Sequence, residues 1–137
     1  LCDEAGTVVG IVHAGWRGLV AGVIEQAVAE MRKSCLHIMA YLGPAIGPDY
    51  FEIGEEVRHS FIKQDKISMP AFTPCNGVNS KKWRADIFLL ARQRLAVAGV
   101  TKIYSHEECT YSNPDKFFSY RRDGDTGRMA GLIWLEK

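Results

Sequence analysis

The hydrophobic positions alternate between strand-like runs and a helical rhythm along the first part of the chain. Residues 7–14, TVVGIVHA, form a short β-branched run behind the turn-like DEAG, which predicts a buried strand. From Gly18 to about Lys33, Leu19, Val20, Val23, Ile24, Ala27, Val28 and Met31 recur at three- and four-residue spacing, one face of an amphipathic helix. LHIMAYL, residues 36–42, predicts a second core strand. GPAIGPDYFEIG follows, a loop stiffened by two Gly-Pro pairs. GEEVRHSFIKQ begins a helix, with Glu55 and Glu56 suiting its N-terminal dipole. Residues 66–82 carry Pro70, Pro74 and Gly77 and predict an irregular, mobile loop. RADIFLLARQRLAVAG predicts a helix closed by Gly99, and VTKIYS a further strand. FFSYRRDGDTGRMAGLIWL predicts two strands joined at DGDTG. The order β-α-β-α-α-β-β-β describes an α+β fold: a mixed β-sheet flanked by helices, with a C-terminal β-hairpin. No repeat, low-complexity tract or linker divides it, so residues 1–137 are expected to form a single domain.

Composition narrows the classes. A chain of 137 residues with 47% hydrophobic and 24% charged residues builds one core and is not disordered. The formal net charge of +1 argues against nucleic acid as a partner, and the densest basic clusters are only SKKWR and SYRRDG. Cys2, Cys35, Cys75 and Cys109 show no CxxC pair, and nothing marks secretion; they read as reduced thiols in a cytoplasmic protein. No apolar stretch suits a bilayer, and no signal peptide is visible. The opening LCDEAGTVVG, without a methionine, suggests a processed or truncated chain.

The stretch HAGWRG, residues 13–18, stands between the first strand pattern and the first helix pattern. Unpaired backbone N–H groups at a helix start favour an anion, and Arg17 adds a planar charged fork suited to phosphate or carboxylate. His13 falls at the carboxyl end of a strand, where ligands gather in α/β architectures. The plainer alternative is a core histidine and a surface arginine at a tight turn. HEEC, His106 to Cys109, has a chelating spacing only if helical, and His37 and His59 read as structural or exposed. Cys109 lies upstream of Arg121, Arg122 and Arg128; a thiol near guanidiniums is a candidate nucleophile, or else a buried cysteine beside arginines paired with Asp123 or Asp125. In FFSYRRDG the aromatics Phe118 and Tyr120 beside Arg121 and Arg122 suit a planar ring plus an anion, or else a sheet core. Four isolated histidines without an H-x-H pair make multicopper chemistry a poor expectation.

HAGWRG, LGPAIGPDYFEIGEEV, ADIFLLARQRL and CTYSNPDKFFSYRRDGDTGRMAGLIWL, in that order, resemble the YfiH-like family, long labelled laccase-domain or multicopper polyphenol oxidoreductase proteins. The resemblance runs along essentially the whole chain. It implies an α+β fold with a mixed sheet, related to the catalytic fold of cytotoxic necrotizing factors. It also implies a zinc-dependent purine nucleoside phosphorylase acting on adenosine, inosine and related nucleosides, with adenosine deaminase activity. The family's metal site holds two histidines and a cysteine, and the histidine of HAGWRG is the last of them. His13 therefore carries over as a zinc ligand, while the segments bearing the other two lie upstream of what is present. Cys2 is not the family cysteine. The chain thus resembles the C-terminal part of a full-length member, and a missing strand would leave a sheet edge open to self-association. Within this reading Arg17 is the first candidate to hold phosphate and Arg121 or Arg122 the second, while Phe118 or Tyr120 stacks the purine. Two other classes stay open: a cysteine-type amide hydrolase using His13 as base, and a non-enzymatic binding module. The older polyphenol oxidase label is a further alternative.

Overall fold

LHIMAYL forms β2, Ile38–Leu42, in the computed structural model, which describes residues 1–75 and 81–136. Side chains alternate along a strand, so Ile38 and Ala40 enter the core while Tyr41 faces outward. β6, Lys102–Ser105, runs parallel to β2, and β1, Cys2–Asp3, runs antiparallel on its other side. This is the mixed sheet the pattern called for, in the order β1-β2-β6. A second, antiparallel sheet of β3 (Glu52–Gly54), β5 (Lys82–Ala85) and β4 (Phe72–Pro74) was not foreseen. Its strands are three or four residues long, too short for alternation to stand out.

The helices pack between and beside these sheets. The first helical pattern becomes two helices, α1 (Trp16–Val20) and α2 (Val23–Met31). They break at Gly22, whose φ of 80° is left-handed. A continuous hydrophobic stripe concealed this break, because Leu19 and Ile24 still face one core across it. α3, Glu55–Gln64, and α4, Ile87–Val97, form as expected. α4 begins later than its apolar pattern because Asp86 caps it, its side chain accepting from the Leu89 N–H at 2.9 Å. It ends at Gly99, φ 77°, with the Val100 N–H returning to the Leu95 carbonyl at 2.8 Å. The Gln64 side-chain amide donates to the Val20 carbonyl at 2.7 Å, satisfying the end of α1, while Arg94 of α4 holds both Gln64 and Glu25. One cluster of buried residues, including Leu19, Val28, Ile53, Phe61, Leu90 and Val100, joins both sheets to α1, α2, α3 and α4.

Three expectations are corrected. TVVGIVHA is not a strand along its length: only Val9 bridges, to Cys2, and the Gly10 N–H reaches the Leu1 carbonyl, closing a small loop over residues 1–10. Beyond Gly10 the segment has no neighbouring strand among the described residues to pair with, and an unpaired strand has no ladder to stabilise it. The C-terminal hairpin is also absent. Tyr120–Asp123 forms a single helical turn, α5, ended by Gly124, and residues 124–136 carry no strand. The span 66–82 is more regular than expected, holding a 3₁₀ helix at Lys66–Ala71 and then β4; residues 76–80 of it lie outside the described residues.

Asp3 holds the loop that leads to His13. Its carboxylate accepts from the Thr7 and Val8 N–H groups at 2.7 and 2.8 Å and from the Thr7 hydroxyl at 2.6 Å. These bonds, the Thr7 hydroxyl first, hold its pKa below the ordinary aspartate range. A carboxylate whose folded pKa is lowered stabilises the fold above its unfolded value, and that contribution disappears as pH falls through the folded one. Asp3→Asn is therefore expected to lower the melting temperature at pH 7 and to narrow its gap to wild type below about pH 4. Thermal melts from pH 7 to pH 2 check this.

Candidate functional site

His13, Gly15, Trp16, Arg17 and Gly18 line an open recess of about 250 Å³. The local chain explains how one stretch builds it. Gly15 is extended (φ −66°, ψ 167°) and its carbonyl accepts the first helical bond, from Leu19 N–H at 2.9 Å, so the chain turns sharply from His13 into α1. Leu19 is fully buried and anchors that turn. A Cβ on Gly15 would stand 3.3 Å from His13 Nε2, so glycine leaves the imidazole its position. A Cβ on Gly18 would press Val23 at 3.3 Å, where α1 meets the start of α2.

Arg17 is exposed, and its guanidinium lies 4.4 Å from the Trp16 ring centroid, a cation–π contact that orients the fork without using its N–H donors. Among the described residues it has no ion pair or hydrogen bond, and neither does His13. The anion argument loses its helix component: α1 has only five residues and no side-chain cap, so its dipole is small. Arg17 acts through its own charge.

The other candidates gather elsewhere, where the loops after β2 and β6 meet. Ala45 and Cys109 bridge in parallel, prolonging the β2–β6 pairing beyond the strand ends. Burial pushes the Cys109 thiol upward, but the Ser112 hydroxyl and the N–H groups of Ser112, Gly47 and Tyr111 outweigh it, so its pKa lies below the ordinary thiol value. The Gly47 N–H stands 3.1 Å from Cys109 Sγ, and a Cβ on Gly47 would come within 3.1 Å of the same sulfur. Arg122 fastens this loop. Its Nη1 donates to the Thr110 and Tyr111 carbonyls, its Nη2 to the Phe117 carbonyl, and its Nε and Nη2 to Asp123. All five N–H donors of the guanidinium are thereby engaged, leaving none for a substrate anion. Arg121 gives Nη1 to the Glu52 carbonyl at 2.7 Å and stands over Phe51, its centroid 5.6 Å away. Phe118 and Tyr120 are exposed, and the Phe118 ring presses so close to Gly127 that a Cβ there would lie 2.6 Å from it.

The structure therefore brings His13 and Arg17 together and sets Cys109 and Arg122 in a second cluster, with Arg121 turned to Phe51 and the Glu52 carbonyl. Sequence reasoning missed Gly47 and Ser112, and the stacked rings of Tyr50 and Tyr111, 4.4 Å apart, beside them. The signal was the Gly-Pro loop after one strand and the cysteine after another; only the parallel pairing of those strands joins them. Iodoacetamide alkylation of Cys109 is expected to follow an apparent pKa below that of an ordinary thiol, and Gly47→Ala to move it upward by crowding the sulfur. Because the folded pKa is lowered, the thiolate stabilises the fold at alkaline pH and that contribution fades as pH falls through the folded value.

As a metal ligand, His13 fits in position: it is exposed, unbonded and beside a recess. Among the described residues, however, no three His, Cys, Asp or Glu side chains come together as a metal-binding group. His37, His59 and His106 are exposed and lie outside the recess. Cys2, Cys35, Cys75 and Cys109 are free thiols. Among the described residues no helix is long and apolar enough to cross a membrane.

The sequence model of a family described as "Multi-copper polyphenol oxidoreductase laccase" matches residues 1–136. The chain belongs to that family. Among its laccase-family relatives, "Purine nucleoside phosphorylase YfiH" of Shigella flexneri is 52% identical over 98% of this chain and 54% of that protein. The Escherichia coli (strain K12) protein of the same name is 51% identical over the same shares. A crystal structure of a Neisseria meningitidis protein, 45% identical, superposes with a TM-score of 0.88 over 99% of this chain and 55% of that one. The laccase-family chain thus spans about half the length of the relatives it matches.

Proposed function

We propose that this chain carries one wall of the active site of a purine nucleoside phosphorylase acting on adenosine, inosine and related nucleosides, with adenosine deamination as a second activity. The observation that carries the reading is the exposed, unpaired His13 and Arg17 side by side on one recess, in a chain whose relatives bear that name. In phosphorolysis a phosphate oxygen bonds to the sugar carbon while the carbon–nitrogen bond to the base breaks, and the base leaves with the electron pair and takes up a proton. Positive charge develops on the sugar and negative charge sits on phosphate. Arg17 supplies a fork that holds the phosphate dianion bidentately, and Trp16, which orients that fork, offers an apolar wall.

His13 is proposed as one ligand of a zinc ion whose other ligands come from outside the described residues. Bound zinc would supply a Lewis acid and a water of lowered pKa for deamination. The free cysteines suit a reducing compartment, the cytoplasm. Arg121, Phe118 and Tyr120 remain candidates to contact the nucleoside; the role of Arg122 and of Cys109 in this reading is to hold the loop after β6.

The test uses a hybrid protein in which residues 1–137 replace the matching half of the Neisseria meningitidis relative. Free base is expected from inosine and from adenosine only when phosphate is present. Arg17→Ala is expected to raise the phosphate KM and to lower kcat/KM by ~10²-fold, the scale of losing one charge-stabilising group. Cleavage independent of phosphate, or an Arg17→Ala variant with unchanged phosphate KM, overturns the reading.

A further inference from the structure

α1 carries Trp16 and Arg17, yet its backbone alone does not fix its attitude on the fold. Five residues form few internal hydrogen bonds, and a helix of that length is unstable by itself in water. Left-handed Gly22, φ 80°, breaks the rigid continuation into α2. Burial of Leu19 draws α1 onto the core, but apolar burial is non-directional and does not set a tilt. Directional bonds come from the other three helices. Gln64, the last residue of α3, donates its side-chain N–H to the Val20 carbonyl at the end of α1, at 2.7 Å. One turn earlier Phe61 is fully buried and keeps that end of α3 in place. Arg94 of α4 donates Nη2 to the Gln64 amide oxygen, so the amide turns its nitrogen toward Val20. Arg94 Nη1 lies 3.3 Å from Glu25 Oε1, in the first turn of α2. The Arg94 and Glu25 side chains are only 15% and 29% exposed, and such a pair is screened less than one in open solvent. The bonds Val20–Gln64–Arg94–Glu25 therefore bridge the Gly22 break, with one end on each helix that it separates.

We infer that Gln64 is a positioning residue for the recess: its amide, oriented by Arg94, sets the angle at which α1 presents Arg17 beside His13. This role for Gln64 rests on the phosphate-holding role proposed above for Arg17. The tied carbonyl lies one turn from that arginine, and the Ala21 N–H closes the turn on the Arg17 carbonyl at 2.9 Å. A change of tilt at Val20 is thus passed to the Arg17 backbone. Such a change matters for an anion held by a planar fork, since a misplacement of about 1 Å can cost ~10²-fold in rate. His13 precedes α1 and lies outside the tied turn, so the effect falls on phosphate rather than on the nucleoside.

The test compares wild type, Gln64→Glu and Arg94→Met in the hybrid protein. Gln64→Glu keeps the side-chain length and an oxygen for Arg94 but removes the donor to Val20. Amide exchange at Ala21 and Gly22, whose N–H groups close the last turn of α1, is expected to quicken about fivefold or more, a readout that needs no substrate. The phosphate KM is expected to rise about tenfold, a tenth of the loss that a 1 Å displacement can cause, with the inosine KM and the melting temperature unchanged. A merely structural glutamine would lower the amount of folded enzyme, and with it the apparent kcat, at constant phosphate KM. Arg94→Met and the double variant are expected to raise the phosphate KM to the same degree as Gln64→Glu, because both side chains act through one run of bonds. Gln64→Glu alone decides if Arg94→Met does not fold. Unchanged exchange at Ala21 and Gly22, or an unchanged phosphate KM beside a phosphate-dependent wild type, overturns the positioning role alone. A wild-type hybrid that cleaves inosine without phosphate overturns the proposed function itself, and this role of Gln64 with it.

Discussion

His13→Ala in the hybrid protein is expected to reduce phosphate-dependent inosine cleavage by ~10³-fold, the upper end of losses seen when one charge-stabilising group is removed. The size of the effect follows from position. The imidazole stands beside Arg17 on one recess, has no hydrogen bond among the described residues, and is exposed, so it contributes nothing evident to the fold. Its removal should leave the unfolding free energy within about 0.5 kcal/mol of wild type, as for surface positions without special contacts. An inactive but equally stable variant separates a functional imidazole from a structural one. Gly15→Ala offers a graded version, because its Cβ would push on Nε2 from 3.3 Å without changing the histidine.

Leu19→Ala is expected to have the largest effect on stability. Leu19 is 0% exposed and belongs to the one-turn helix that carries Arg17, packed in the cluster that holds Ile24, Phe61 and Leu90. Truncating a fully buried leucine to alanine costs about 2–5 kcal/mol, because lost transfer energy is joined by the cavity left behind. A domain of this size is stable by roughly 5–15 kcal/mol, so the variant should unfold at markedly lower denaturant concentration. Activity should fall more than the unfolded fraction explains, since α1 is too short to keep its shape by backbone hydrogen bonds alone. Denaturant titration beside an activity assay at a temperature where the variant is folded checks both parts.

The mixed sheet, α3, α4 and the position of the His13 turn were legible because each rests on a local pattern. Alternation marked Ile38–Leu42, Gly99 marked the end of α4, and paired glycines marked the recess. Break points and pairings were less legible. The stripe from Leu19 to Met31 did not reveal that Gly22 splits it, since both halves face one core. Nothing local told Val9 to pair with Cys2 while Ile11 and Val12 found no strand. The terminal LIWL run carries strand-like composition, but strand formation depends on a neighbour that no local pattern supplies. Arg122 looked like an anion ligand for a related reason: a guanidinium's chemistry is readable, whereas the three carbonyls of the loop after β6 and the two Asp123 oxygens that engage it are not. Cys109 was singled out for nearby arginines, yet its pKa is lowered mainly by the Ser112 hydroxyl and backbone N–H groups.

The family description speaks of several coppers, whereas the function proposed above has His13 as one ligand of a single zinc ion. Metal analysis of the purified hybrid, expressed with zinc and copper both supplied, decides between them. One zinc per molecule, lost on His13→Ala with the fold intact, is the result the account expects. Several coppers per molecule, or zinc retained in full by His13→Ala, would contradict it.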